Sequence, residues 1–206
     1  VRETEFAADL ARVIRGDAPD DYRVPARFFA NTHPTRGLKE LLRSMLARLS
    51  GSGTEIGSIF RLHTNFGGGK THGLIALVHA ARGMAGVRDA GEFVDPALVP
   101  RGEVRVAAFD GENTDPANGR PLPDVGRAYT PWGESADALA GRQGVERVRR
   151  SDKLQVAPGA DTIRELFGDE PVYYGLDTSL RACANNACRV PSILETKAVS
   201  LFSVTS

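Results

Sequence analysis

Cysteine is scarce in this chain, and long apolar runs are missing from it. The 206 residues include 2 cysteines, Cys183 and Cys188, which cannot form a disulfide framework and whose spacing matches no zinc-binding pattern. The longest uninterrupted apolar stretch, Leu74 to Val78, is far shorter than the roughly 20 residues of a membrane-spanning helix. No charged and then apolar leader opens the sequence, so we expect a soluble, cytoplasmic protein without a membrane partner.

Excess charge of either sign is also absent, because 26 Lys and Arg residues balance 26 Asp and Glu residues. A balanced chain has no overall electrostatic attraction to nucleic acid. The local basic run Arg147, Arg149 and Arg150 is flanked by Glu146 and Asp152, and such a run is typical of a solvated helix face. Apolar residues make up 41% of the chain and charged residues 25%, as in an ordinary globular domain.

Apolar periodicity predicts helices that alternate with strands. Turn residues predict an irregular stretch at 17–34 and a long loop at 110–131. Thr162 to Glu165 has the form of a capping box that opens a helix closed by Gly168. The predicted helices lie near 6–16, 38–49, 71–82, 134–150 and 162–168, and the predicted strands near 59–62, 104–109 and 171–176. This alternation predicts the α/β fold class, with a parallel sheet and crossover helices.

The most informative residues, Thr64-Asn-Phe-Gly-Gly-Gly-Lys-Thr-His72, lie between a predicted strand and a predicted helix. Glycines let a backbone wrap closely around a polyphosphate, and the N–H groups at a helix start favour an anion. Lys70 would bridge the β- and γ-phosphates of ATP, and the Thr71 hydroxyl would bind Mg²⁺. The usual pattern is G-x-x-x-x-G-K-[ST], and Thr64 replaces its first glycine. The predicted nucleotide-binding residues are Asn65, Phe66, Gly67, Gly68, Gly69, Lys70, Thr71 and His72.

Such a site also needs a carboxylate on the Mg²⁺ side, usually at the end of a buried strand. Asp177 follows the apolar stretch that begins at Val172, and we predict that it is the second metal ligand beside Thr71. Lys70 and Asp177 are the predicted catalytic residues. Many ATPases of this class carry a water-activating Glu directly after this Asp. Thr178 stands there instead, so the sequence does not predict hydrolysis by this chain itself.

Two further groups of polar residues invite a metal interpretation. Asp110, Glu112 and Asp115 follow the second strand and could assist Mg²⁺, although turn-favouring loop residues are the simpler interpretation. His72 and His79 are seven residues apart on one predicted helix, which is too far for shared ligation. We therefore expect no metal on these histidines.

The segment from Phe60 to His72, with its Phe-Gly-Gly-Gly-Lys-Thr-His motif, resembles the phosphate loop of large prokaryotic AAA-like P-loop ATPases that are described as a domain of unknown function. Pro34 to Lys39, Thr130 to Glu134 and Ala157 to Asp161 extend the resemblance, which runs from about residue 5 to about residue 177. It implies an incomplete P-loop NTPase-like core at 51–177, preceded by an N-terminal helical segment at 1–50. It also implies nucleic acid, or DNA-modification and defence proteins, as partners of the full-length proteins, and assembly into oligomers.

Members of that family would continue after Asp177 with a Glu, a further helix, and sensor, arginine-finger and lid elements, which we do not recognise in this sequence. Residues 178–206 carry few charges and both cysteines. We interpret this region as an atypical tail without a native fold, as in a truncated or frame-shifted gene product.

Two other functions stay open at this point. The chain could be a non-enzymatic interaction module, or a non-functional remnant that docks onto a larger ATPase. A kinase or another nucleotide-metabolising P-loop enzyme would need an acceptor pocket and lid arginines, which the sequence does not identify.

Overall fold

Four parallel strands form the central sheet, in the spatial order β1 (Ile59–His63), β6 (Ala198–Thr205), β5 (Val172–Ser179) and β2 (Arg105–Asp110). The structure is a computed structural model, and it describes residues 8–52, 59–63, 69–110, 117–179 and 198–205. The α/β class and the parallel sheet with connecting helices, expected from the sequence, are confirmed.

Helices surround the sheet, and a small antiparallel hairpin, β3 (Arg120–Leu122) and β4 (Gly126–Ala128), lies apart from it. The helices of the described residues are α1 (Leu10–Arg15), α2 (Asp20–Arg23), α3 (Pro25–Ala30), α4 (Arg36–Leu49), α5 (Lys70–Ala81), α6 (Ala90–Phe93), α7 (Pro131–Lys153) and α8 (Ala160–Phe167), with a 3₁₀ turn at Pro96–Leu98.

Both faces of the sheet are covered because its crossovers run in two directions. The chain passes from β1, the outer strand on one side of the sheet, to β2, the outer strand on the other side, and returns through β5 to β6. Right-handed crossovers place the helices between β1 and β2 on one face and the helices of the return path on the opposite face. Strand β2 shows the result: Ala107 and Phe109 pack with α7 and α8, whereas Val106 and Ala108 pack against the core around α4 and α5.

Helix α5 is buried on all sides. The residues from Leu74 to Ala81 are each at most 2% exposed. The sequence predicted one inner face for this helix, but α1, α3 and α4 pack against it in addition to β5 and β6 of the sheet. A helix that is apolar all round is the kind that occupies such a central position.

Helix α7 is a hairpin of two helical segments. The chain reverses at Ala140 (φ −146°) and Gly141 (φ 53°), where the backbone is not helical. As a consequence Asp152, near the end of the second segment, accepts hydrogen bonds from the backbone N–H groups of Tyr129 (3.1 Å) and Thr130 (2.9 Å), just before the first segment.

Three local predictions are corrected by the structure. The stretch at 17–34 contains α2 and α3, because Pro25 is well suited to a first helical position and the buried Phe28 and Phe29 hold α3 on the core. The stretch at 110–131 contains the β3–β4 hairpin, whose Leu122 and Ala128 pack beside α7. The capping box at Thr162 does not open α8, which begins at Ala160 because the Ile163 N–H already bonds to the Gly159 carbonyl at 3.1 Å.

Strand β6 comes from the region that the sequence set apart as an atypical tail. It lies between β1 and β5 and pairs with both along its length. Residues 180–197 of that region lie outside the described residues.

The close contact inside the α7 hairpin depends on Gly144. A Cβ atom added there would clash with the backbone carbonyl oxygen of Ala136, which cannot move without separating the two segments. We expect Gly144→Ala to lower the free energy of unfolding by about 1–3 kcal/mol, measured by chemical denaturation.

Gly37→Ala is the matched control, because Gly37 is exposed in α4 and an added Cβ would meet nothing within 4 Å. This change should leave stability unchanged or raise it by up to about 1 kcal/mol. Equal effects of the two changes would contradict the packing described here.

Candidate functional site

The carboxyl ends of the four parallel strands lie at one edge of the sheet. In the strand register, Asp110 of β2 is opposite Asp177 of β5, and Asp177 is opposite Ser203 of β6. His63, the last residue of β1, is opposite Val204. Adjacent strands are about 4.8 Å apart, so this register makes Asp110 and Asp177 neighbours at the edge.

Helix α5 begins at this same edge. Its other end lies beside the start of β2, where Ala81 and Arg82 line a cavity together with Val104 and Arg105. A helix of 12 residues is about 18 Å long, which is close to the length of β2. Lys70, the first residue of α5, therefore lies at the edge where the strands end.

The start of α5 follows a glycine in a left-handed conformation. Gly69 precedes the helix with φ 73°, a left-handed conformation that side chains disfavour, and its carbonyl accepts the N–H of Gly73 at 2.9 Å. Lys70 is only 9% exposed. Thr71 and His72 complete the first turn, whose N–H groups can have no carbonyl acceptor within the helix.

The structure brings some of the predicted site residues together and does not describe others. Gly69, Lys70, Thr71 and His72 form the beginning of α5, while Asn65, Phe66, Gly67 and Gly68 lie outside the described residues. Asp177 lies near the end of β5, at the same edge of the sheet. Asp110, which sequence analysis favoured as a loop residue, is the last residue of β2, whereas Glu112 and Asp115 lie outside the described residues.

A second helix also begins at this edge. The Leu139 carbonyl lies 3.4 Å from the Arg105 guanidinium at the start of β2, and the Ser135 hydroxyl lies 3.0 Å from the Tyr174 hydroxyl. Tyr174 is in register with Ala107, further along β2, so the first segment of α7 runs antiparallel to the strands. The positive ends of the α5 and α7 dipoles therefore both face the carboxyl edge.

Two acidic groups lie near the beginning of α7 in space, Glu134 in its first turn and Asp152 from its last turn, and sequence analysis did not single out either as a site residue. Glu134 accepts a hydrogen bond from Arg120 at 2.8 Å, and their side chains are only 9% and 19% exposed. Asp152 was interpreted as part of a solvated face, but it is 5% exposed and also accepts the Thr130 hydroxyl at 2.6 Å. The reversal at Gly141 buries it, and the helical periodicity of the sequence does not reveal this.

Two further sets of charged groups lie away from the candidate site. Glu170, two residues before β5, lies 3.6 Å from Arg105 and is therefore near the amino ends of the strands. Arg147 and Arg150 are exposed, and Arg149 pairs with Glu146, which fits the predicted solvated face.

The two histidines of α5 both contact Phe28 of α3. The rings of His72 and Phe28 are stacked at 4.4 Å, and those of His79 and Phe28 lie 5.3 Å apart. His72 Nε2 lies 2.8 Å from the Thr32 hydroxyl, and His79 Nε2 lies 2.8 Å from the Tyr22 carbonyl oxygen. Burial lowers the pKa of both histidines, which favours their neutral forms.

In the described part of the chain, no group of three or more His, Cys, Asp or Glu side chains could hold a metal ion by itself. The same part contains no helix with the length and apolar character required to cross a membrane.

Comparison with known families identifies the chain. The family model described as the DUF499 N-terminal domain matches residues 2–185, so the chain belongs to that family. No curated protein and no solved structure gave a significant match.

The buried His79 makes a prediction about pH. Its pKa is lowered chiefly by burial, and Arg82 lowers it further, so the folded protein binds this proton more weakly than the unfolded chain. The free energy of unfolding should therefore be highest above the ordinary histidine pKa of 6.5 and fall as the pH drops below it. Denaturant titrations at pH 7.5 and 5.5 should show this loss, and it should be smaller in His79→Gln. An identical pH dependence in that variant would contradict the assignment.

Proposed function

We propose that this DUF499 N-terminal domain binds a nucleoside triphosphate, ATP, together with Mg²⁺, with the phosphates at the start of α5. One observation carries the proposal: Lys70 and Thr71 begin a helix at the sheet edge where Asp110 ends β2 and its partner in register, Asp177, lies near the end of β5. In open parallel sheets, this edge is where ligands bind.

Each residue at the start of α5 has a role in the proposal. Gly69 turns the backbone, so that the N–H groups that follow can face the phosphates. Lys70 supplies a positive charge to the β- and γ-phosphates from a buried position, where solvent screens it less. Asn65, Phe66, Gly67 and Gly68 complete the loop in the sequence, and His72 follows Thr71 in the first turn.

The Mg²⁺ in this proposal is shared between the protein and the nucleotide. Mg²⁺ keeps several waters and needs one or two carboxylates in addition to phosphate oxygens. Thr71 and Asp177 are the proposed protein ligands, and Asp110 is positioned next to Asp177 to bind one of the waters. Such a site is compatible with the lack of a three-residue metal cluster in the described residues.

A P-loop ATPase of the AAA-like kind is the finer form of the proposal. The parallel sheet, the glycine turn before Lys70 and the acidic end of β5 support it. Lys70 and Asp177 would then be the catalytic residues. Nucleic acid, or proteins of DNA modification and defence, would be partners of an oligomeric assembly, as the resemblance to AAA-like ATPases implies.

Nucleotide binding without hydrolysis is the second candidate function. Thr178 directly follows Asp177 and has no carboxylate to activate a water molecule. A domain with this residue pair would act as a nucleotide-dependent interaction module.

Titration of a fluorescent ATP analogue in the presence of Mg²⁺ tests the proposal. We expect Lys70→Ala to weaken binding at least tenfold, because a charge-assisted contact with phosphate is lost. Lys39→Ala is the matched control, since Lys39 is an exposed lysine of α4 and its removal should leave affinity unchanged. Equal affinities of wild type and Lys70→Ala would contradict the proposed site.

The Mg²⁺ part of the proposal has a separate test. We expect Asp177→Asn to abolish most of the gain in affinity that Mg²⁺ gives, while binding of the nucleotide in EDTA stays close to that of wild type. A carboxamide cannot replace the charge of a carboxylate on a divalent cation. An unchanged response to Mg²⁺ would exclude Asp177 as a ligand.

A further inference from the structure

The first turn of α5 is connected to α3 by a chain of two hydrogen bonds. The Thr32 hydroxyl donates to the carbonyl oxygen of Phe28 at 2.6 Å, and His72 Nε2 lies 2.8 Å from the same hydroxyl oxygen. A hydroxyl has one proton, and in Thr32 that proton is directed to Phe28. His72 must therefore be the donor in the second bond, through its Nε2–H group.

This connection is partly buried and is held from two directions. Thr32 is 8% exposed and Phe28 is 1% exposed. The Phe28 ring stacks on the His72 ring, so one residue of α3 supports the histidine both by ring contact and by orienting the threonine that accepts its hydrogen bond. Rotation of the histidine side chain would break both contacts with this part of the chain.

Helix geometry carries this restraint to the proposed phosphate site. His72 directly follows Thr71 and is two residues after Lys70, within the same turn. The first turn of a helix has fewer intrahelical hydrogen bonds than the interior and is the part that frays most readily. A restraint on His72 therefore fixes the direction of the N–H groups and side chains of Lys70 and Thr71.

We propose that Thr32, which is outside the phosphate loop, is a positioning residue for the nucleotide site, acting through its hydrogen bond with His72. This inference depends on the proposed nucleotide-binding function and adds α3 to the elements that set its affinity. Because coupling between two sites is reciprocal, a bound nucleotide should in turn stabilise the docking of α3 on α5.

The test compares Thr32→Val with Thr32→Ser in titrations with a fluorescent ATP analogue and Mg²⁺. Valine has the shape of threonine without the hydroxyl, and we expect it to raise Kd about three- to tenfold, the range for one buried hydrogen bond. Serine keeps the hydroxyl and should restore Kd to within about twofold of wild type.

The variant His79→Gln is a control that distinguishes an effect on nucleotide affinity from an effect on protein stability. His79 also contacts Phe28 and donates to the N-terminal part of the chain, at the Tyr22 carbonyl, but it lies seven residues after His72 on the same helix. Its loss should lower thermal stability and leave Kd unchanged. If Thr32→Val is less stable but binds the nucleotide as wild type does, Thr32 is merely structural and the inference is overturned.

Hydrogen exchange of the wild-type chain covers the case in which Thr32→Val fails to fold. Addition of nucleotide and Mg²⁺ should slow exchange of the amides from Phe28 to Thr32, and unchanged exchange there overturns the inference.

If wild type and Lys70→Ala bind the nucleotide equally, the proposed function itself fails. If binding needs Lys70 but not the Thr32 hydroxyl, only the positioning role fails.

Discussion

The common direction of the four strands is the constraint on which the candidate site depends. Since the four strands of the central sheet run the same way, a helix that connects two of them must run back, and it must start where a strand has ended. The starts of α5 and α7 and the ends of β2 and β5 are thereby gathered at one edge. The helix dipoles contribute positive potential there, and Asp110 and Asp177 occupy neighbouring positions of β2 and β5 at the same edge. The proposed ligand, an anion accompanied by a divalent cation, rests on this combination.

The N-terminal helices give the central helix its second packing surface. Helix α5 can be apolar all round because the sheet and the helices α1, α3 and α4 all pack against it. The same packing buries His79 and partly buries His72 against Phe28. Removal of the helical segment would expose a long apolar surface of α5, so we regard residues 10–49 and the sheet as one structural unit.

The sequence predicted those features of the site that depend on neighbouring residues. A helix that starts at the Lys70-Thr71 pair after a run of glycines is a local pattern, and α5 does begin at Lys70, directly after Gly69. Asp177 was placed by a second local pattern, an apolar strand that is followed by an acid. The α/β class followed from the alternation of apolar periods.

Features that depend on distant residues could not be predicted in this way. The pairing of Asp110 with Asp177 depends on strand register across more than sixty residues of chain. The burial of Asp152 depends on the reversal at Gly141, which a continuous helical pattern conceals. The contact between Thr32 and His72 joins residues that are 40 positions apart. The position of β6 between β1 and β5 depends on its pairing with both of these strands.

The most direct test of the account is a crystal structure of the protein with Mg²⁺ and a non-hydrolysable ATP analogue. The account predicts phosphate oxygens within hydrogen-bonding distance of the backbone N–H groups of Lys70 and Thr71, and Mg²⁺ between the phosphates and the end of β5. A nucleotide bound elsewhere, or a protein side chain filling the space before α5, would contradict it.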